Sequence, residues 1–280
     1  MMNRSTKTRY VIFQILVEIF KKNKNFETVF KKFIVSQDFN QKDISFINNV
    51  CLNTMRRSMH CKLILKNFSK SRLTANQSIL LSSAIVQIVY LKIKPYAVIN
   101  ETVNVAKKVK IFPGFVNALL KNVLKHIDEV SKIEIDLYDF PDWFLKQIKN
   151  KKKFEIDKFI KTFCEHPSLH LVFKSEKYLN NFKEPHTKSS KNSAFVETQK
   201  KISKIENFEK GEWWVQDFAS MLPLAFDSRT KKLNILDMCA APGGKAFQIL
   251  TKNKAILNDI NIKRISKLKT NLSRLKSNQK

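Results

Sequence analysis

At 280 residues the chain is long enough for two modest domains with sizeable cores. Hydrophobic residues make up 43% and charged residues 27%, the balance of a folded soluble protein, and the lack of any run of about 18 apolar residues argues against a membrane span. Lys and Arg number 52 against 24 Asp and Glu, a formal charge of +28 that admits two sources: a polyanion partner such as nucleic acid, or a coding bias that favours Lys, Asn, Ile and Phe throughout.

The first stretch, MMNRSTKTRYVIFQILVEIF, places charges before an apolar run. Glu18, the helical spacing and the lack of a small-residue cleavage site argue against a signal peptide, so the chain reads as cytoplasmic. Ile12, Ile15, Leu16 and Ile19 line one helix face. Phe26, Phe30, Phe33 and Ile34 repeat the spacing, as do Ile47, Val50, Cys51 and Met55. Thr74 and Gln77 form a capping box ahead of Leu81, Ile85, Ile88 and Val89. Pro95 opens a helix carrying Val98, Val105 and Val109. Pro113-Gly114 breaks the chain before a last stripe of Phe115, Leu119, Val123 and Leu124. Cysteines at 51, 61, 164 and 239 contain no C-x-x-C pair, and His60-Cys61 lacks a second pair of ligands. Neither a disulfide framework nor a metal site is expected.

Beyond Ser131 the texture changes. A Pro-Asp-Trp start opens a basic helix in which Lys146, Lys149 and Lys151 to Lys153 either meet phosphates or form a solvated face. Residues 169–173 read as a short strand, and EPHTKSSKNSAFVETQKK reads as loop. GEWWVQDFASMLPLAF then gives a turn, a strand and an apolar helix. Trp213 and Trp214 could stack on bases, but packing at a domain boundary is the favoured expectation.

The run LNILDM suits a buried parallel strand ending in Asp237. A turn from Cys239 to Lys245 follows, then a helix, then a second strand, AILND, ending in Asp259. Strand, Gly-rich turn, helix, strand and acid open a nucleotide-cofactor fold. Paired glycines let backbone N–H groups approach a ligand, the helix start favours an anionic group, and the acid can accept from two ribose hydroxyls. The pattern is neither G-x-G-x-x-G nor a P-loop, which disfavours a dinucleotide or triphosphate. S-adenosyl-L-methionine, with a ribose and a carboxylate but no phosphate, fits better.

Two resemblances sharpen this reading. TRYVIFQIL, AVINETVNVAKK and FVNALLKNVL, spread over residues 5–127, resemble the NusB-type RNA-binding helical domain. DMCAAPGGKAFQ resembles the cofactor motif of the RNA cytosine-5 methyltransferases, and WWVQDFAS resembles that family's Val-Gln-Asp segment. In this order the parts resemble the RsmB (Fmu/Sun) methyltransferases of small-subunit ribosomal RNA. The resemblance implies an α + α/β chain: an all-helical NusB-like domain at 1–130, a connecting α+β segment at 131–210, and the incomplete start of a Rossmann-like methyltransferase domain at 211–280. It further implies that Cys239, Ala240, Ala241, Pro242, Gly243, Gly244 and Lys245 form the methyl-donor loop. Asp259 would hold the ribose, and Asp237 would support the loop or the donor's amino group. RNA, in particular small-subunit ribosomal RNA, is the implied partner.

In the family one cysteine attacks cytosine and a second assists release of the product, one in a downstream Pro-Cys and one in a Thr-Cys motif, and no cysteine follows Cys239. No catalytic residue is therefore assigned, and the chain alone is expected to be inactive. A non-catalytic RNA-binding or antitermination-like protein and a truncated gene product are the alternatives. The last helix carries a stripe of Ile262, Ile265, Leu268, Leu272 and Leu275, which is expected to lie exposed together with the sheet edge.

Overall fold

The computed structural model describes residues 3–148, 153–163, 165–198, 200–226 and 233–276. Contacts divide the chain into two units, Met1–Glu165 and His166–Lys280. The boundaries expected after residues 130 and 210 fall inside these units. Among the described residues, no helix is long and apolar enough to cross a membrane.

The first unit is all helical: α1 (Arg4–Lys22), α2 (Phe26–Val35), α3 (Gln41–Arg56), α4 (Ser58–Phe68), α5 (Ala75–Ile85), α6 (Pro95–Lys108), α7 (Pro113–Lys125), α8 (Ile127–Ser131), α9 (Asp142–Ile148) and α10 (Lys153–Phe163). Local chemistry sets the starts. The side chains of Asn3, Asn25 and Asn40 accept N–H bonds three residues on, and Thr74 with Gln77 completes a capping box. Pro95 and Pro113 occupy first-turn positions, where a missing N–H costs nothing. Every residue from Ile79 to Ile85 is buried, so this part of α5 is covered on all sides, and the helix packs against α1, α3, α4, α6 and α7. The helix runs on as a single π turn, Val86–Tyr90. Ile12, Ile15, Leu16, Ile47, Val50, Val98, Val105, Leu119 and Val123 complete the core. In α2 it is Val29 that is fully buried, while Phe26, Phe30, Phe33 and Ile34 only flank the core.

After α8, Ile135 and Phe140 gather Phe144 and Ile160 into a small cluster. Lys146 is exposed on α9. Lys149, Lys151, Lys152 and Cys164 lie outside the described residues.

The second unit contains β1 (Leu169–Phe173), α11 (Glu176–Asn180), β2 (His186–Ser190), β3 (Ser193–Val196), β4 (Trp213–Val215), α12 (Phe218–Ala225), β5 (Asn234–Asp237), α13 (Gly244–Leu250), β6 (Lys254–Leu257) and α14 (Ile262–Arg274). An antiparallel sheet runs β2-β3-β1-β4. The segment expected to be loop is the hairpin β2–β3. Its strand HTKSS has no alternating apolar pattern, so nothing in its own sequence marks it as a strand. It is held by its partner β3 and by the turn, where Asn192 Nδ2 donates to the Phe173 carbonyl at 2.7 Å.

Alternation along β1 and β4 separates two cores. Leu171, Phe173 and Trp213 join Leu179, Phe182, Val196 and Ile205 on one face. Val172 and Trp214 join Met221, Ala246, Phe247, Leu268, Leu272 and Leu275 on the other. Trp213 and Trp214 are both buried, packed as expected but inside the second unit and not at a boundary, and neither ring is available to stack on a base.

The α14 stripe differs from expectation. Leu268, Leu272 and Leu275 are buried, because Trp214, Met221 and Phe247 supply the surface they need; only Ile262 at the start is bare. Arg274 fastens the far end. Its Nη1 donates to the carbonyls of Phe208 (2.8 Å) and Trp213 (3.1 Å), and its guanidinium lies over the Phe208 ring. Gly211 permits that approach: it sits at φ +65°, and a Cβ there would lie 2.0 Å from the Arg274 carbonyl oxygen. The parallel pair β5–β6 leaves a face open, where the expectation named an edge. Leu236 and Ile256, register partners in the parallel pair β5–β6, are 56% and 72% exposed.

Candidate cofactor turn

Strands β5 and β6 run parallel, with Asp237 opposite Leu257. The pairing continues past their ends: Asn258 N–H donates to the Asp237 carbonyl, and Ala240 N–H donates to the Asn258 carbonyl, both at 2.9 Å. Asp237 starts the turn by accepting the Cys239 N–H on Oδ1 at 3.1 Å, the local bond that makes aspartate a turn residue.

Asp259 closes the turn from the other strand. Its Oδ2 accepts the Ala241 N–H at 3.2 Å and its Oδ1 accepts the Asn261 N–H at 2.8 Å, with the residue 9% exposed. Asn261 in turn caps α14 by accepting the Arg264 N–H. Asn271 Nδ2 reaches back to the Pro242 carbonyl at 3.3 Å. The turn is therefore held from three sides: by its own strand, by the acid of the next strand, and by α14.

The two glycines meet the protein's own chain. Gly243 is buried at φ +125°, and a Cβ there would lie 1.8 Å from Phe247 Cζ. At Gly244 a Cβ would meet Gln216 Cγ at 3.3 Å. Ala240 and Ala241 are buried, while Cys239, Pro242 and Lys245 are exposed. The eight expected site residues are thus brought to one corner, at the carboxyl ends of two parallel strands, where open α/β sheets bind their ligands.

Residues 6–125 match the model of the NusB family, and residues 224–280 match that of 16S rRNA methyltransferase RsmB/F. The chain thus resembles the NusB family over its first part and the RsmB/F methyltransferases over its last part. The Ribosomal RNA small subunit methyltransferase B of Proteus mirabilis (strain HI4320) is 25% identical over 266 residues, covering 86% of this chain and 62% of that protein. The protein of the same name from Cronobacter sakazakii (strain ATCC BAA-894) is 23% identical, covering 98% of this chain and 68% of its own length. This chain spans about six-tenths of the length of the first such relatives. The crystal structure of PH0851 has a similar fold, with a TM-score of 0.57 at 14% identity over 99% of this chain and 68% of that one.

One residue of the corner was not legible as such. Gln216 lies just upstream of the RsmB/F segment and is 5% exposed. Its Oε1 accepts the Trp214 indole N–H at 2.9 Å, and its Nε2 donates to Gln248 Oε1 at 3.0 Å. Gln248 Nε2 continues to the Met221 carbonyl at 3.1 Å. A partly buried amide chain thus ties β4 to α13, the helix that follows the turn. The Val-Gln-Asp resemblance pointed at this segment but not at that role. Its Asp217 is a helix cap, accepting the Ser220 N–H of α12.

His170 supports Gln216 from beneath. Its Nδ1 lies 2.7 Å from the Gln216 carbonyl, which can only accept, so Nδ1 carries the proton. Nε2 then accepts from Ser189 Oγ at 2.8 Å. Burial pulls the His170 pKa down, against the opposing pull of the Gln216 carbonyl and the Asp217 charge. A depressed folded-state pKa means that the unfolded chain takes up the proton first. Stability from this group is complete above the ordinary histidine pKa and is lost as pH falls through the lower folded value. Urea midpoints of the RsmB/F-containing unit, followed by tryptophan fluorescence, are expected to fall on acidification below pH ~6.5. His170→Asn should flatten that slope; an unchanged slope would place the effect elsewhere.

Proposed function

We propose that the RsmB/F segment binds S-adenosyl-L-methionine at this corner, and that the chain provides the donor side of an RNA cytosine-5 methyltransferase acting on small-subunit ribosomal RNA. The observation that carries the reading is the meeting of the turn with Asp259 at the ends of β5 and β6. The residues fit such a donor. Asp259 uses one lone pair on each oxygen for the backbone and keeps further acceptor capacity for ribose hydroxyls. The first turn of α13 has no side-chain cap and no acidic residue, which suits a carboxylate. Small buried residues, Ala240 and Ala241, let the backbone lie close to a ligand. When bound, the donor supplies an electrophilic methyl group on a sulfonium.

The chain's own part is to bind, orient and hold. Asp259 and the turn fix the donor, and Gln216 and Asn271 keep the turn from opening. Cys239 begins the turn on the donor side of the strand and is not assigned as the nucleophile. The family's attacking and releasing cysteines have no counterpart after it, so the chain alone carries no transfer activity in this reading. The net charge of +28 supports RNA as the partner.

Purified chain titrated with S-adenosyl-L-methionine in a calorimeter is expected to show saturable binding. With radiolabelled donor and small-subunit ribosomal RNA it is expected to incorporate no methyl group. Absence of binding would overturn the cofactor assignment; robust carbon-5 methylation would overturn the inactivity.

A further inference from the structure

We infer that the corner between α4 and α5 is a phosphate-binding site for single-stranded RNA, built on Lys62, Lys66 and Arg72; this rests on the RNA reading above and gives it a location. The first observation is charge. From Arg57 to Lys125 the chain holds twelve Lys and Arg residues and one acid, Glu101. Glu101 is 8% exposed and is taken up internally by Thr6 and Asn3, so this stretch presents almost no carboxylate to solvent. A coding bias toward lysine adds cations without removing acids, yet all but one of the chain's 24 acids lie outside the stretch.

The second observation is shape. Lys62 and Lys66 stand one turn apart on the same face of α4. With Arg72, Ser69, Ser71 and Ser78 they line a hollow of about 370 Å³. None of the three cations is ion-paired among the described residues. Ser69 shapes the corner by donating to the Ser71 carbonyl at 2.7 Å. Lysine, arginine and serine side chains lining one concave site match the needs of phosphate oxygens.

The third observation is continuity. On the other side of the first turn of α5, Lys21, Asn76, Gln77, Lys110 and Phe112 line a second hollow of about 350 Å³. The Phe112 ring is 73% exposed. Two basic hollows beside an exposed aromatic form a track for a single strand, with phosphates in the hollows and a base on the ring.

The test uses the full chain and a labelled single-stranded RNA of about twelve nucleotides, read by fluorescence anisotropy over a range of salt concentrations. Lys62→Gln/Lys66→Gln/Arg72→Gln is expected to bind about tenfold or more weakly, and its log–log salt slope is expected to be shallower by about 2, from roughly 0.7 per lost phosphate contact. A charge-matched control, Lys32→Gln/Lys42→Gln/Lys132→Gln, removes the same charge from α2, α3 and the end of α8; it should change affinity by less than about threefold. Equal losses in both variants would replace the site by a diffuse field. An unchanged site variant would overturn the location, while failure of the wild-type chain to bind any RNA would overturn the RNA reading beneath it. Vesicles of phosphatidylglycerol and phosphatidylcholine supply the last arm: a site variant that loses vesicle binding but keeps RNA binding would assign the corner to a membrane surface instead.

Discussion

Gly243→Ala is expected to destabilise the cofactor turn by about 3–5 kcal/mol and to abolish donor binding. Two costs combine. The position sits at φ +125°, a backbone conformation that L side chains rarely adopt, and the added methyl would fall 1.8 Å from Phe247 Cζ. Phe247 cannot simply swing away. It is buried, packs against Trp214 at a ring separation of 5.9 Å, and belongs to the core shared with α14. Relief of the collision therefore means moving α13, and α13 carries the first N–H groups of the site. A double-mutant cycle separates the two costs. In Gly243→Ala/Phe247→Ala the collision disappears while the backbone cost and a core cavity remain, so a favourable coupling of at least about 1 kcal/mol is expected in urea unfolding. Additive effects would show that the ring is not the obstacle.

Asp259→Ala is expected to lower stability by about 2–4 kcal/mol and donor affinity by about tenfold or more. The carboxylate satisfies the N–H groups of Ala241 and Asn261, and the residue is nearly buried, so its removal leaves two donors without partners. Asp259→Asn keeps a single acceptor oxygen and turns an amide NH₂ toward one of those donors, so about half the stability loss should persist. Calorimetric titration at a temperature where both proteins stay folded distinguishes the roles. If Asp259 only braces the turn, affinity for S-adenosyl-L-methionine will return to the wild-type value once folding is ensured; if it also meets the ribose, the weaker binding will remain.

Local signals carried much of this structure into the sequence. The capping box at Thr74 and the prolines at 95 and 113 act within one helical turn, and each helix starts where they place it. The apolar stripes of α1, α3, α6 and α7 were equally legible, because burial follows the 3.6-residue period. What escaped depends on distant partners. Strand β2 has no pattern of its own and forms because β3 offers an edge. The stripe of α14 reads as unpartnered until Trp214, Met221 and Phe247 are brought to it. At the site, residue types were legible and their reasons were not. The glycine pair reads as space for a ligand, whereas at Gly243 the nearest obstacle is the protein's own Phe247 ring. Asp259 reads as a ligand-facing acid, yet its first duty is to two backbone amides.

The bonds of Arg274 to Phe208 and Trp213 span 66 and 61 residues. Such distant closure raises contact order and slows folding. During synthesis, the antiparallel sheet emerges from the ribosome well before the helix that covers its Trp214 face. For that interval a bare apolar surface is open to chaperones and to other nascent chains. The arginine that locks the α/β unit is thus also its clock: the unit cannot finish folding until residue 274 has left the exit tunnel.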